Sequence, residues 1–172
     1  MKCKRNRKID LLIVLICTQI GLNSTIAQPI DTQLVDQGKY LVKIGGCNDC
    51  HTPGYLLFGG KTPQKLWLTG TSFGWKGPWG TTYPTNLRIL VQGLTEKEWI
   101  EMAKTLKTRP PMPWFTLNSM KDADLRAIYH FIRSMGPEGE PAPQYLPPDK
   151  EPTTPYALFP SPPSPKEANM TK

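Results

Sequence analysis

Apolar residues recur at helical spacing in three stretches of the chain. From about Asp31 to Ile44, Leu34, Val35, Leu41 and Val42 share one face, with Gly38 between them. Glycine costs about 1 kcal/mol against alanine inside a helix, and a second helix crossing close by is one reason to accept that cost. A second stretch opens at Thr95, a good N-cap, with Glu96 and Glu98 in the first turn, where the helix dipole favours negative charge. Trp99, Met102, Ala103 and Leu106 then follow the i, i+3, i+4, i+7 stripe of a buried face. The third runs from about Asp122 to Met135, with Leu125, Ile128, Tyr129 and Ile132 on its stripe and Gly136-Pro137 as its stop.

Between the first two helices lie about 45 residues rich in Gly, Pro, Thr and Trp with little periodicity. Ile89-Leu90-Val91 reads as a possible short strand, yet no sheet follows from it. Loops this long in a compact domain are usually functional, and wrapping a large flat cofactor accounts for them. Past Met135 the composition changes: 11 of residues 137–165 are proline, which excludes a helix or an inner strand and predicts an extended tail. The expected architecture is all-α, with about three main helices and long loops in a domain over residues 28–136 and a proline-rich tail over 137–172.

The first 27 residues read as a secretory signal peptide. Lys2, Lys4, Arg5, Arg7 and Lys8 form a basic patch, Leu11 to Ile20 is largely apolar, and Thr25-Ile26-Ala27 offers small residues before a cut at Gln28. The apolar run is short for a membrane span, which needs about 20 residues; an uncleaved anchor is the competing reading. Export to the periplasm changes the charge picture. The chain carries 21 Lys and Arg against 14 Asp and Glu, and the segment holds five of the former and one of the latter, leaving a net charge of +3. A nucleic-acid partner then loses its main support. Cys3 and Cys17 leave with the segment, so only Cys47 and Cys50 remain, too close together to staple a distant loop.

Those two thiols stand in Cys47-Asn48-Asp49-Cys50-His51. Two cysteines separated by two residues, with histidine next, is the pattern of covalent haem c attachment. Each thiol adds across one haem vinyl group, and His51 follows as the first axial iron ligand. Gly45 and Gly46 relieve crowding where backbone meets ring, and a carbonyl near Pro53 is expected to set the His51 tautomer. A thioredoxin-like dithiol lacks its strand–helix alternation here. A zinc site lacks ligands, since zinc takes four and the other histidine, His130, lies on the polar side of its helix. Among the methionines, Met102 and Met135 fall on helix core faces, Met120 precedes the third helix as a staple, and Met170 is in the tail. Met112, held in Arg109-Pro110-Pro111-Met112-Pro113-Trp114, has no helical packing face and is the expected sixth ligand. Trp79, Tyr83, Asn86 and Arg88 are candidate donors to the haem propionates, with Trp67 and Trp75 as an apolar wall beside the ring.

With these motifs in view, the chain resembles class I cytochromes c over about residues 31–136. Within that class it is similar to one module of the cytochrome c subunits of bacterial membrane-associated alcohol and aldehyde dehydrogenases. Gly38-Lys39-Tyr40-Leu41 leading into Cys47–Thr52, Gly80–Leu87, Pro111-Met112-Pro113-Trp114 and Met120–Tyr129 carry the likeness. The resemblance implies helices crossing around one haem, with Gly38 meeting the last helix near Tyr129. Those subunits resemble three such modules in series, whereas this chain has one motif. The expected role is a monohaem carrier of single electrons between periplasmic or membrane-bound redox proteins, with no substrate chemistry and no transmembrane span in the mature chain. A haem peroxidase or gas sensor with an open sixth position, and a small subunit of a periplasmic dehydrogenase complex, remain alternatives.

Overall fold

The computed structural model describes residues 31–160; the N-terminal signal reading, Cys3, Cys17 and Met170 lie outside them. Helix α1 (Thr32–Ile44) starts where the Asp31 carboxylate accepts the Leu34 N–H at 3.2 Å. Helix α2 (Cys47–His51) follows after a two-residue break. Helices α3 (Leu87–Gln92), α4 (Glu96–Thr105), α5 (Trp114–Ser119) and α6 (Asp122–Ser134) complete the helical set among the described residues. In α4, Thr95 and Glu98 form a reciprocal capping box, two orphan donors met at once.

Helices α1 and α6 make the most extensive contact of the fold. Gly38 is why they can. A Cβ built there would stand 2.0 Å from the Ala127 carbonyl oxygen and 2.7 Å from the Phe131 Cβ. The missing side chain lets the two backbones touch. Around that crossing α6 buries Leu125, Ile128, Tyr129, Phe131 and Ile132 against Val42, Val91, Trp99 and Trp67. Buried polar ends are satisfied: Trp99 Nε1 donates to the Leu125 carbonyl at 2.8 Å, and the Tyr129 hydroxyl to the Leu94 carbonyl at 2.8 Å.

The all-α expectation is corrected by a three-stranded mixed sheet. Strands β1 (Gly74–Gly77) and β2 (Gly80–Thr82) form an antiparallel hairpin, and β3 (Tyr156–Leu158) runs parallel to β1, in the order β2-β1-β3. These strands are three or four residues long, β1 and β2 carry glycines in place of apolar alternation, and β3 finds its partner only across most of the domain. A second difference concerns Ile89-Leu90-Val91, which lies in helix α3 rather than in a strand. Asn86 decides it: its side-chain oxygen accepts the Arg88 and Ile89 N–H groups at 3.0 and 3.1 Å as an N-cap.

The proline-rich stretch from Pro137 to Pro160 runs largely extended over the domain and is stitched to it. Thr81 and Leu146 exchange backbone hydrogen bonds at 2.8 and 3.0 Å, Phe159 N–H donates to the Lys76 carbonyl at 2.7 Å, and Lys76 pairs with Glu151. Gly80, at φ +95°, admits this contact, because a Cβ there would meet the Leu146 carbonyl oxygen at 2.2 Å. Among the described residues no helix is long and apolar enough to cross a membrane.

The helix crossing gives a test. Gly38→Ala is expected to cost about 3 kcal/mol in urea unfolding, because the backbones must part. Gly93→Ala is its control. Gly93 ends α3 in the αR region with nothing nearer than 3.6 Å to an added Cβ, so a change under about 0.5 kcal/mol is expected.

Candidate functional site

One apolar cavity collects the chemistry of the sequence motif. Val42, Leu87, Leu90, Trp99, Ile128 and Ile132 line it from α1, α3, α4 and α6. Into the same lining come Gly45 and Gly46, Cys47, Cys50 and His51 from α2, and Pro111, Met112 and Pro113 from the loop before α5. The loop from Thr108 to Pro113 is anchored from outside, where the Thr82 hydroxyl donates to the Pro110 carbonyl at 2.8 Å.

Burial sets the protonation of the motif. The Cys47 thiol is pushed up to about 11 by burial, with a smaller push from Asp49, and the Cys50 thiol is raised by burial and by Asp49. Both are free and neutral at physiological pH, the reverse of the stabilised thiolate that a redox dithiol needs. His51 is held below its usual value by burial, against the opposing pull of its hydrogen bond to Thr85. That bond links Nδ1 and the Thr85 carbonyl oxygen at 2.7 Å. A carbonyl only accepts, so Nδ1 carries the proton and Nε2 keeps its lone pair, the form in which imidazole binds a metal. The expected carbonyl near Pro53 is in fact that of Thr85, brought in from before α3.

The turn after the motif is laced to the next loop. Thr52, 2 % exposed, donates its hydroxyl to Asn48 Oδ1 at 2.7 Å and accepts the Leu68 N–H at 2.8 Å. Gly70 N–H donates to the His51 carbonyl at 2.8 Å. Leu68, at φ +61°, turns its own carbonyl to the N–H groups of Leu87 and Arg88. Through Leu68 the α2 turn and the start of α3 hold each other in register.

Of the four residues read as propionate donors, Tyr83 lines the cavity. Asn86 faces an adjoining groove, but its amide is committed to the Glu138 and Glu140 carbonyls at 2.8 and 3.1 Å. Arg88 is 5 % exposed and fully used: it donates to the Gly136, Lys65 and Met135 carbonyls, a cation capping the C-terminal end of α6. Trp79 lies outside the cavity lining, with its ring edge against Phe159. Trp67 is a core residue whose Nε1 donates to the Thr62 carbonyl at 2.8 Å.

Two lining residues, Met102 and Arg109, escaped the sequence reading, and a third, Trp75, was read there only as apolar wall. Met102, assigned to the core, lines the cavity as well as packing against it. Trp75 lines the cavity, and its Nε1 is buried without a hydrogen-bond partner among the described residues. Arg109 lines both the cavity and the groove beside it. Its place next to the Pro110-Pro111-Met112-Pro113 loop was the signal available for it. The lining fits a haem: an apolar interior for the macrocycle, two thiols and a neutral imidazole in one turn, thioethers from two elements, and an orphan N–H with a cation for carboxylates. Among the described residues no three His, Cys, Asp or Glu side chains converge on a metal position, so zinc has no ligand set. His130 instead lies 2.8 Å from the Glu96 carboxylate.

Compared with known proteins, the chain matches no family model, no curated protein and no solved structure.

Thr52→Val keeps the shape of the side chain and removes its hydroxyl. The Leu68 N–H and Asn48 Oδ1 would both lose their partner, so urea unfolding should show a loss of about 2 kcal/mol.

Proposed function

We propose that the chain is a monohaem c-type cytochrome that carries single electrons between periplasmic or membrane-bound redox partners. One observation carries this reading: Cys47, Cys50 and His51, from one turn, line the same apolar cavity as the proline-flanked Met112. A haem held there supplies a one-electron couple and nothing else is required of it. Cys47 and Cys50 hold it by adding their S–H across its two vinyl groups, giving two thioethers with no change in electron count. His51 ligates through Nε2 while the Thr85 carbonyl keeps the proton on Nδ1. The apolar walls would keep water from a bound haem, so that a change in iron charge would be felt strongly there.

Met112 is the better sixth ligand of the two methionines in the lining. Met102 belongs to α4 and packs into the core cluster. Met112 sits between Pro111 and Pro113, in a loop tied down by Thr82, so a weak thioether is held without ordering a flexible chain. With His51 and Met112 both holding the iron, a bound haem would have no open position for substrate, which favours electron transfer over a peroxidase or sensor.

Covalent attachment is tested directly. Protein matured in a host able to attach haem should keep a haem stain after denaturing electrophoresis, and Cys47→Ala with Cys50→Ala should lose it. A colourless wild type ends the reading.

The ligand is tested by substitution. Met112→Ala should abolish the weak far-red band of the sulfur–iron bond, lower the reduction potential and let carbon monoxide bind the reduced protein. Met102→Leu should keep the band and cost under about 1.5 kcal/mol of stability. Loss of the band in Met102→Leu, with its survival in Met112→Ala, would move the ligand to α4.

A further inference from the structure

The proline-rich segment touches two lining residues whose polar groups have no partner among the described residues, Arg109 and Trp75. The Arg109 guanidinium carbon sits 3.8 Å from the Tyr145 ring centroid, stacked on its face. Among the described residues Arg109 has neither an ion pair nor a side-chain hydrogen bond. Tyr145 is itself fixed: its hydroxyl donates to the Trp79 carbonyl at 2.9 Å, and its neighbour Leu146 is bonded twice to Thr81. Trp75, whose Nε1 is buried without a partner among the described residues, is pinned from the same segment. Its Cα partner in the parallel pairing is Ala157, and its ring meets Phe159 edge-on at 5.8 Å.

Resting on the haem reading, we propose that this segment builds the end of the cavity that receives the cofactor's carboxylates. Tyr145 is a positioning residue that holds the Arg109 cation at the cavity wall, and β3 with Phe159 holds the Trp75 N–H. A guanidinium stacked on a ring keeps its in-plane N–H groups free, which suits it to a carboxylate. The pairing with Tyr145 removes rotamer freedom from Arg109 before any carboxylate arrives. A cation beside the cofactor also favours the reduced iron, whose charge is lower by one, so the segment raises the reduction potential of the site.

Potentials measured by redox titration of the folded, haem-loaded protein separate the possibilities. Arg109→Leu should lower the potential. Tyr145→Leu should reproduce most of that fall although Arg109 is intact, and the double variant should fall no further than Arg109→Leu alone. Tyr145→Phe keeps the stacked ring and should stay close to wild type, which guards against a general effect of disturbing the segment. An unchanged potential in Arg109→Leu overturns the carboxylate site. A fall in Arg109→Leu that Tyr145→Leu does not share, or full additivity in the double variant, overturns the positioning role. A colourless wild type defeats the haem reading instead, so the two failures are distinct.

Discussion

The contact of two helix backbones at Gly38 and Ala127 governs the rest of the structure. Close approach there brings the apolar stripe of α6 against α1 along its length. It thereby sets where α1 ends, and the two-residue break after Ile44 leads at once into Cys47. The walls that α6 gives to the cavity, Ile128 and Ile132, are the residues next after Ala127 and Phe131, which meet Gly38 at the crossing. A wider separation would move the cysteine turn away from those walls. One missing methyl group therefore controls the geometry of a site some ten residues further on, which is how close packing transmits a local change.

The three long helices and the motif were legible in the sequence for the same reason: their information is local. The 3.6-residue stripe of Leu125, Ile128, Tyr129 and Ile132, and the cap at Thr95, are read within one window. Two thiols and an imidazole in five residues can be read without any tertiary structure. The sheet was not legible, because β1 and β2 owe their pairing to glycines at a tight turn and β3 to a partner far along the chain. Arg88 shows another limit. Beside Tyr83 and Asn86 it looked like an anion donor, but α6 ends in unpaired carbonyls that take its guanidinium first. Trp79, read as a donor, falls outside the cavity lining for a related reason, since ring direction depends on strand register, which only the hairpin determines.

Electrostatically the cysteine–histidine end of the site differs from its surroundings by holding almost no charge, with Arg109 the cation at the other end of the lining. Burial keeps both thiols protonated and the imidazole neutral, while acid–base pairs such as Glu96 with Arg126 and His130 stay at the surface. There Glu96 is raised by burial but lowered more by its two partners, so its ionised form is favoured by folding. An interior of this kind responds little to proton concentration and strongly to a single added charge, because few competing dipoles screen it.

The parallel pairing of Gly74–Lys76 with Tyr156–Leu158 has a consequence for the order of events in folding. The helical core is complete in sequence by Gly136, whose carbonyl with that of Met135 takes the Arg88 guanidinium, and the apolar cluster draws on no residue past Met135. The last strand must close a loop across most of the domain, and long-range closure is slow relative to helix docking. Prolines along Pro137–Pro160 narrow the unfolded choices of that loop, so its late docking costs less entropy than an ordinary chain of that length would. The domain thus assembles as a vessel first and a stopper afterwards, with the side of the cavity next to Arg109 the last to be walled.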